Sequence, residues 1–293
     1  MSQVDFGVRN ATAIRQPATA NLMIDSGDRY EYNELYPNPF NFQIQKTQAL
    51  LNGYFTRIGV SEVVMEWCEP NIASVNNFVA VDLSGGGSAQ LDISGGFYTS
   101  AGLLSTVVSV CNNHYGPNTF SIEGQSGTPI FLKATDVFHF DATRPTTALG
   151  ISLFDDSGNP IFQNQVPVTC PDLRPYRYID IICNNLTSVQ RVKDSSTAPA
   201  PNDVLTRWYF TEDSQETYDE LGFPILQGYK PFCRRRIFNP PKQIRWEQNL
   251  PVGNLRFEAW GRGTTSNQSG FPYTPVETGS DTNWDMTLQL SEN

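Results

Sequence analysis

The chain has 293 residues, 39% hydrophobic and 12% aromatic, and a formal net charge of -10. That is enough apolar material for a sizeable core, in one large domain or two small ones. The acidic balance speaks against a general nucleic-acid binder, because affinity for the phosphate backbone comes from Lys and Arg. The N-terminal MSQVDFGVRNATAIRQPATAN has no apolar h-region, and no stretch is as long and apolar as a membrane-spanning helix, so neither a secretory signal nor a membrane span is expected. Five scattered cysteines, Cys68, Cys111, Cys170, Cys183 and Cys233, read as free thiols in a reducing compartment.

In chain order, residues 1–21 read as a polar arm, and Leu22, Met23 and Ile24 enter a first strand. Asp25, Ser26 and Asp28 offer turn-forming side chains, and Gly27 offers a free φ. Pro37 and Pro39 hold the chain extended, so that Phe40, Phe42 and Ile44 of FNFQIQ alternate into the core. Residues 56–67 form a longer strand. Residues 78–84 and 89–94 flank Gly85-Gly86-Gly87 and predict a hairpin. Leu104, Val107, Val108 and Cys111 fall on one helical face, with Thr99 or Ser100 as cap and Gly116-Pro117 as stop.

Strand patterns then return over 118–124, 128–141, 148–154, 175–183, 203–210, 231–238, 242–248, 254–261 and 284–290. About a dozen strands, one short helix and long Gly/Pro/Asn loops predict an all-β jelly-roll sandwich of two antiparallel four-stranded sheets. We expect one jelly-roll domain over 22–293, with an elaborated loop or insertion near 192–228 that carries Trp208, Tyr209, Phe210 and Tyr218.

No catalytic constellation emerges. His114 and His139 are the two histidines, and neither lies near a recognisable nucleophile motif. The cysteines show no zinc spacing. Gly85–Gly87 lacks the Lys-Ser/Thr of a phosphate loop. Asp155-Asp156-Ser157-Gly158-Asn159 has the oxygen density of a calcium loop without the EF-hand spacing, and a tight turn is the plainer reading. No catalytic residue, metal or cofactor is therefore expected. Arg234-Arg235-Arg236 is the basic run, read as a salt-bridged strand edge or as an interface that meets an acidic neighbour. Trp260 and Tyr273 would be platforms if the protein binds carbohydrate.

The stretch Ile24-Asp25-Ser26-Gly27-Asp28-Arg29, followed by Tyr36-Pro37-Asn38-Pro39-Phe40, resembles a signature near the N-termini of capsid proteins from large eukaryotic DNA viruses, virophages and polinton-like viruses. The family form has Arg where this chain has Gly27. Gly96-Phe97-Tyr98-Thr99, Asn239–Trp246, Asn254–Phe257 and Trp284–Leu288 resemble later motifs of the same proteins, in the same order. At this length the resemblance implies a single jelly-roll penton: a homopentamer at icosahedral fivefold vertices, in the virion, touching the major capsid protein and minor capsid proteins. The alternative is a minor capsid or receptor- or carbohydrate-binding β-sandwich protein of a virion. Asp25, Ser26, Asp28, Arg29, Tyr36, Pro37, Asn38, Pro39 and Phe40 are the expected folding and assembly motif.

Overall fold

A computed structural model describes residues 19–28, 38–45, 55, 57–72, 77–169, 171–187, 204–211, 218–245, 254–262, 273–275 and 282–291. The first sheet pairs β1 (Thr19–Asp25), β14 (Asn283–Ser291), β3 (Arg57–Trp67) and β11 (Phe232–Arg245), in that order and antiparallel throughout. The second runs β10 (Val204–Tyr209), β9 (Tyr178–Ile182), β12 (Asn254–Arg262). Beyond β12 lie β2 (Asn41–Gln45), pairing with its first half, and β13 (Tyr273–Pro275), pairing with its second. Leave out β13 and number the remaining eight strands in chain order. One sheet is then 1-8-3-6 and the other 2-7-4-5, which is the jelly-roll topology.

The sandwich is held by alternation. In β14, Trp284, Met286, Leu288 and Leu290 are buried while Asp285 and Gln289 are exposed. Phe40, Phe42, Trp67, Phe210, Phe257 and Trp284 are all almost fully buried in this core. Phe42 lies 5.4 Å from Phe257 and 5.6 Å from Trp284, centroid to centroid. Each such ring contributes roughly 1.5–3 kcal/mol by burial.

Between β3 and β9 the chain leaves the sandwich and builds a second core. Here β5 (Ser88–Asp92), β4 (Phe78–Leu83), β7 (Phe131–Phe140) and β6 (Phe120–Glu123) form a third antiparallel sheet, with β8 (Gln163–Pro167) also on β7. Two helices pack on it: α1 (Ser100–Tyr115) and α2 (Arg144–Leu149). Its core includes Leu104, Val107, Phe120, Phe138, Phe140 and Leu149. A short helix α3 (Asn184–Thr187) follows β9.

The expected hairpin forms as β4–β5, with Gly85 and Gly87 at φ 69° and 108°. The expected helix forms as α1: the Thr99 hydroxyl accepts the Gly102 N–H at 3.1 Å, and Gly116 ends the helix. Two expectations change. Residues 148–154 are not a strand, because 144–149 are the helix α2. Thr143 and Thr146 cap it reciprocally, Pro145 stands in its first turn, and Gly150 closes it at φ 67°. Residues 231–238 and 242–248 are not two strands: β11 runs through from Phe232 to Arg245 with its register broken between Ile237 and Lys242. The break coincides with Pro240-Pro241, which have no N–H to give the ladder.

Of the segment 192–228, the described part comprises β10 and a turn at 218–224. Asp219 accepts the N–H groups of Leu221 and Phe223 and, at 2.8 Å, that of Ala101, so it ties this turn to the start of α1. The rest of 192–203 and 212–217, like residues 1–18 of the arm, lies outside the described residues.

Candidate functional site

The N-terminal motif is a structural joint. Ser26 is fully buried in a 3-10 turn (Ser26–Asp28), and its hydroxyl accepts the backbone N–H of Trp284 at 2.8 Å. The indole N–H of Trp284 donates to the Pro39 carbonyl, also at 2.8 Å. One tryptophan therefore joins the two halves of the motif. Asn38 makes the turn that launches β2: its side-chain oxygen accepts the Phe40 N–H at 2.9 Å and its carbonyl accepts the Asn41 N–H at 3.1 Å. Phe40 then points into the core beside Trp67. Arg29, Tyr36 and Pro37 lie outside the described residues.

Gly27 differs from expectation. Its φ is not in the left-handed region, and an added Cβ would meet only the Asp25 carboxylate, at 2.9 Å. That carboxylate accepts the Gly27 N–H and sits at the end of a movable side chain. The backbone therefore does not require glycine here.

Asp25 stands directly opposite Asp285 across β1 and β14. Partial burial, and then the nearby charge of Asp25, push the Asp285 carboxyl up to about 6; Glu66 and Asp28 add to this. Like charges opposed on one sheet face repel.

The groups that could do chemistry are poorly set up for it. Burial pushes the Cys111 and Cys183 thiols up to about 12, away from the reactive thiolate. Cys68 and Cys233 are exposed, and burial followed by Glu66 raises the Cys233 thiol too. Cys170 lies outside the described residues. His139 is buried, with Nδ1 3.4 Å from the Ile161 carbonyl and its ring against Phe154 and Phe162. His114 ends α1 edge-on to Tyr115. In the 155–159 turn the Asp155 carboxylate accepts the N–H groups of Ser157 and Asn159 and the Asn159 side-chain amide, so its oxygens are spent on the turn. Among the described residues no cluster of three His, Cys, Asp or Glu could hold a metal ion.

The basic run lies on β11, an outer strand of the first sheet among the described residues. Arg235 forms a two-pronged pair with Glu62 of β3. This holds the Glu62 carboxyl below its ordinary range. Arg234 and Arg236 alternate with it and stand opposite the buried Met65 and Val63. Arg236 reaches the second sheet, where its guanidinium lies 5.8 Å from the Tyr209 ring, and 5.7 Å from Phe238 of its own strand.

Tyr209 belongs to a group that sequence reasoning missed. Tyr178 and Tyr209 face each other on β9 and β10, 5.9 Å apart and edge to face. Arg207 stacks on Tyr178 at 3.9 Å and is held by the buried Asp180 through bonds of 2.6 and 2.8 Å. Beside them opens a cleft of about 740 Å³, lined by Arg174, Arg177, Tyr178, Tyr209, Phe210 and Thr211 among others. Arg174 is braced there by Asp172 and the Phe210 carbonyl. The alternation in YIDII and VLTRWY places Tyr178 and Asp180, and Arg207 and Tyr209, on single faces. What it does not contain is that the two strands pair, or that Arg236 of another sheet arrives beside them.

Two virophage structures are similar to this chain. One is the mavirus penton protein, 12% identical, with a TM-score of 0.48 over 95% of this chain and 100% of that one. The other is from the Sputnik virophage, 12% identical, with a TM-score of 0.46 over 94% and 98%. No family model matches the chain, and no curated protein does. No described helix is long and apolar enough to cross a membrane.

Proposed function

We propose that the chain is a structural subunit of a viral capsid, a penton that assembles as a homopentamer at the fivefold vertices and meets the major capsid protein around it. The observation that carries this reading is the placement of the capsid-like motif. Of its described residues, Ser26, Asn38, Pro39 and Phe40 form the joint between the first two jelly-roll strands, and Trp284 of the last strand fastens it through Ser26 and Pro39. The later motifs fall just before α1, ending at its cap Thr99, and on β11, β12 and β14, so the resemblance follows the fold in order. A penton needs shape and edges instead of a reactive centre, and the raised thiols and spent carboxylates accord with that.

Cryo-electron microscopy of purified virions tests the proposal. Density for this chain at the fivefold positions is the expected result, and its absence from the particle overturns the reading. The alternative, a carbohydrate-binding protein, has one supporting observation: Trp260 stands opposite Asp180 on the sheet face that also carries Tyr178 and Tyr209. A glycan array with a Trp260→Ala control separates the two.

A further inference from the structure

Because the first sheet runs β1-β14-β3-β11, its two outer strands among the described residues are β1 and β11. The register places particular charges on those strands, and on β14 beside β1, at one height. Asp25 pairs with Asp285, Asp285 with Val64, and Val64 with Arg235, and Arg236 is the next residue along. The acidic end of the row and the basic end are three strand spacings apart, about 14 Å. At the acidic edge Asp25 and Asp285 are exposed and crowd each other, and among the described residues no cation pairs with either. At the basic edge Arg236 is exposed and, among the described residues, no carboxylate pairs with it; its contacts are the rings of Tyr209 and Phe238. Tyr209 is itself 45% exposed and borders the cleft that Arg174 and Arg177 also line.

We propose that these two edges are the halves of one contact: Arg236 and the cleft beside Tyr209 on one copy receive Asp25 and Asp285 of a second copy, head to tail. The inference rests on the assembly reading above and names its surfaces. Three features select a second copy as the occupant. The chain carries -10 overall, so copies repel at long range and association needs a local match of opposite charge. The two surfaces lie on opposite edges of one sheet, which makes the contact heterologous. They also lie at one height along the strands, so rotation about an axis parallel to the strands brings edge to edge without a rise. That closes a ring, whereas an offset would build a filament. A sugar stacking on Tyr209 would have to compete with Arg236 and Arg207, whose guanidinium groups lie 5.8 Å from that ring.

Sedimentation velocity of the full chain over a concentration series, with thermal melts as a control of folding, tests the proposal. Arg236→Glu and Asp285→Arg should each weaken self-association about a hundredfold, as like charges facing across an interface do. The exchange of both charges in one chain should restore it. Closed oligomers that form equally well in both single variants overturn the contact and leave the capsid reading standing. A wild-type chain that stays monomeric at every concentration overturns the contact together with the homopentamer. A monomeric chain whose cleft binds an acidic glycan, with loss in Arg236→Glu, overturns it in favour of that occupant.

Discussion

At the scale of single residues, Ser26 does more than its size suggests. Its hydroxyl satisfies a buried N–H of the last strand. Ser26→Ala leaves that donor unpaired and should cost about 1–3 kcal/mol in chemical denaturation. Gly27→Arg should change stability by less than about 1 kcal/mol in the same assay, because no left-handed φ is at stake and the one group its Cβ would meet, the Asp25 carboxylate, ends a movable side chain. The arginine usual in the capsid motif therefore fits this backbone. Asp285 makes a pH prediction. Its carboxyl is raised to about 6 from an ordinary value of 3.8, so between those values the folded chain holds a proton that the unfolded chain has lost. Stability falls as pH rises through that window, and the penalty is complete above it. Asp285→Asn should stabilise the monomer near neutral pH by about 1 kcal/mol, a figure reduced for solvent screening, with no gain below about pH 4. The groups that set this behaviour are Asp25, Asp28 and Glu66, with Cys233 close by. The turn chemistry of Asp25, Ser26 and Asn38 was readable from residue type; that Trp284, over 240 residues away, completes the joint was not.

At the scale of elements, the strands were legible wherever one face is buried, because a period of two then appears in the sequence. FNFQIQ and WDMTLQL show it plainly, and both strands formed. The helix α2 escaped because its six residues are too few to display a period, and its signals are caps: Thr143, Pro145 and Gly150. Gly150 also bears on stability. A Cβ there would lie 2.3 Å from the Thr169 carbonyl oxygen, and the backbone is left-handed. Gly150→Ala should destabilise the second core by more than about 1 kcal/mol, visible as faster hydrogen exchange in α1 and β7 than in the sandwich strands. That second core was not legible as a unit. β7 pairs with β4, β6 and β8, and three partners on one strand leave no mark in a local pattern.

At the scale of the whole molecule, charge and topology set the behaviour. If the acidic and basic edges meet between copies, association should weaken as salt rises and as pH falls through about 6, where Asp285 takes up a proton. Mass photometry across pH 5 to 8 (the flanks of about 6) would read this, and the trend opposes that of monomer stability. The Arg-Tyr cleft was legible only as separate pieces, since two sheets contribute to it. The seam between β1 and β14 has another consequence, in time rather than space. Among the described residues, the first strand of the sandwich pairs only with the last. During synthesis the sandwich therefore waits, with β1 lacking this partner, until residues 283–291 have left the ribosome. The inserted sheet, whose strands all lie between Phe78 and Pro167, has its partners more than a hundred residues sooner. The excursion from the jelly roll is thus placed to fold first, and the jelly roll closes around the ends of a unit already made.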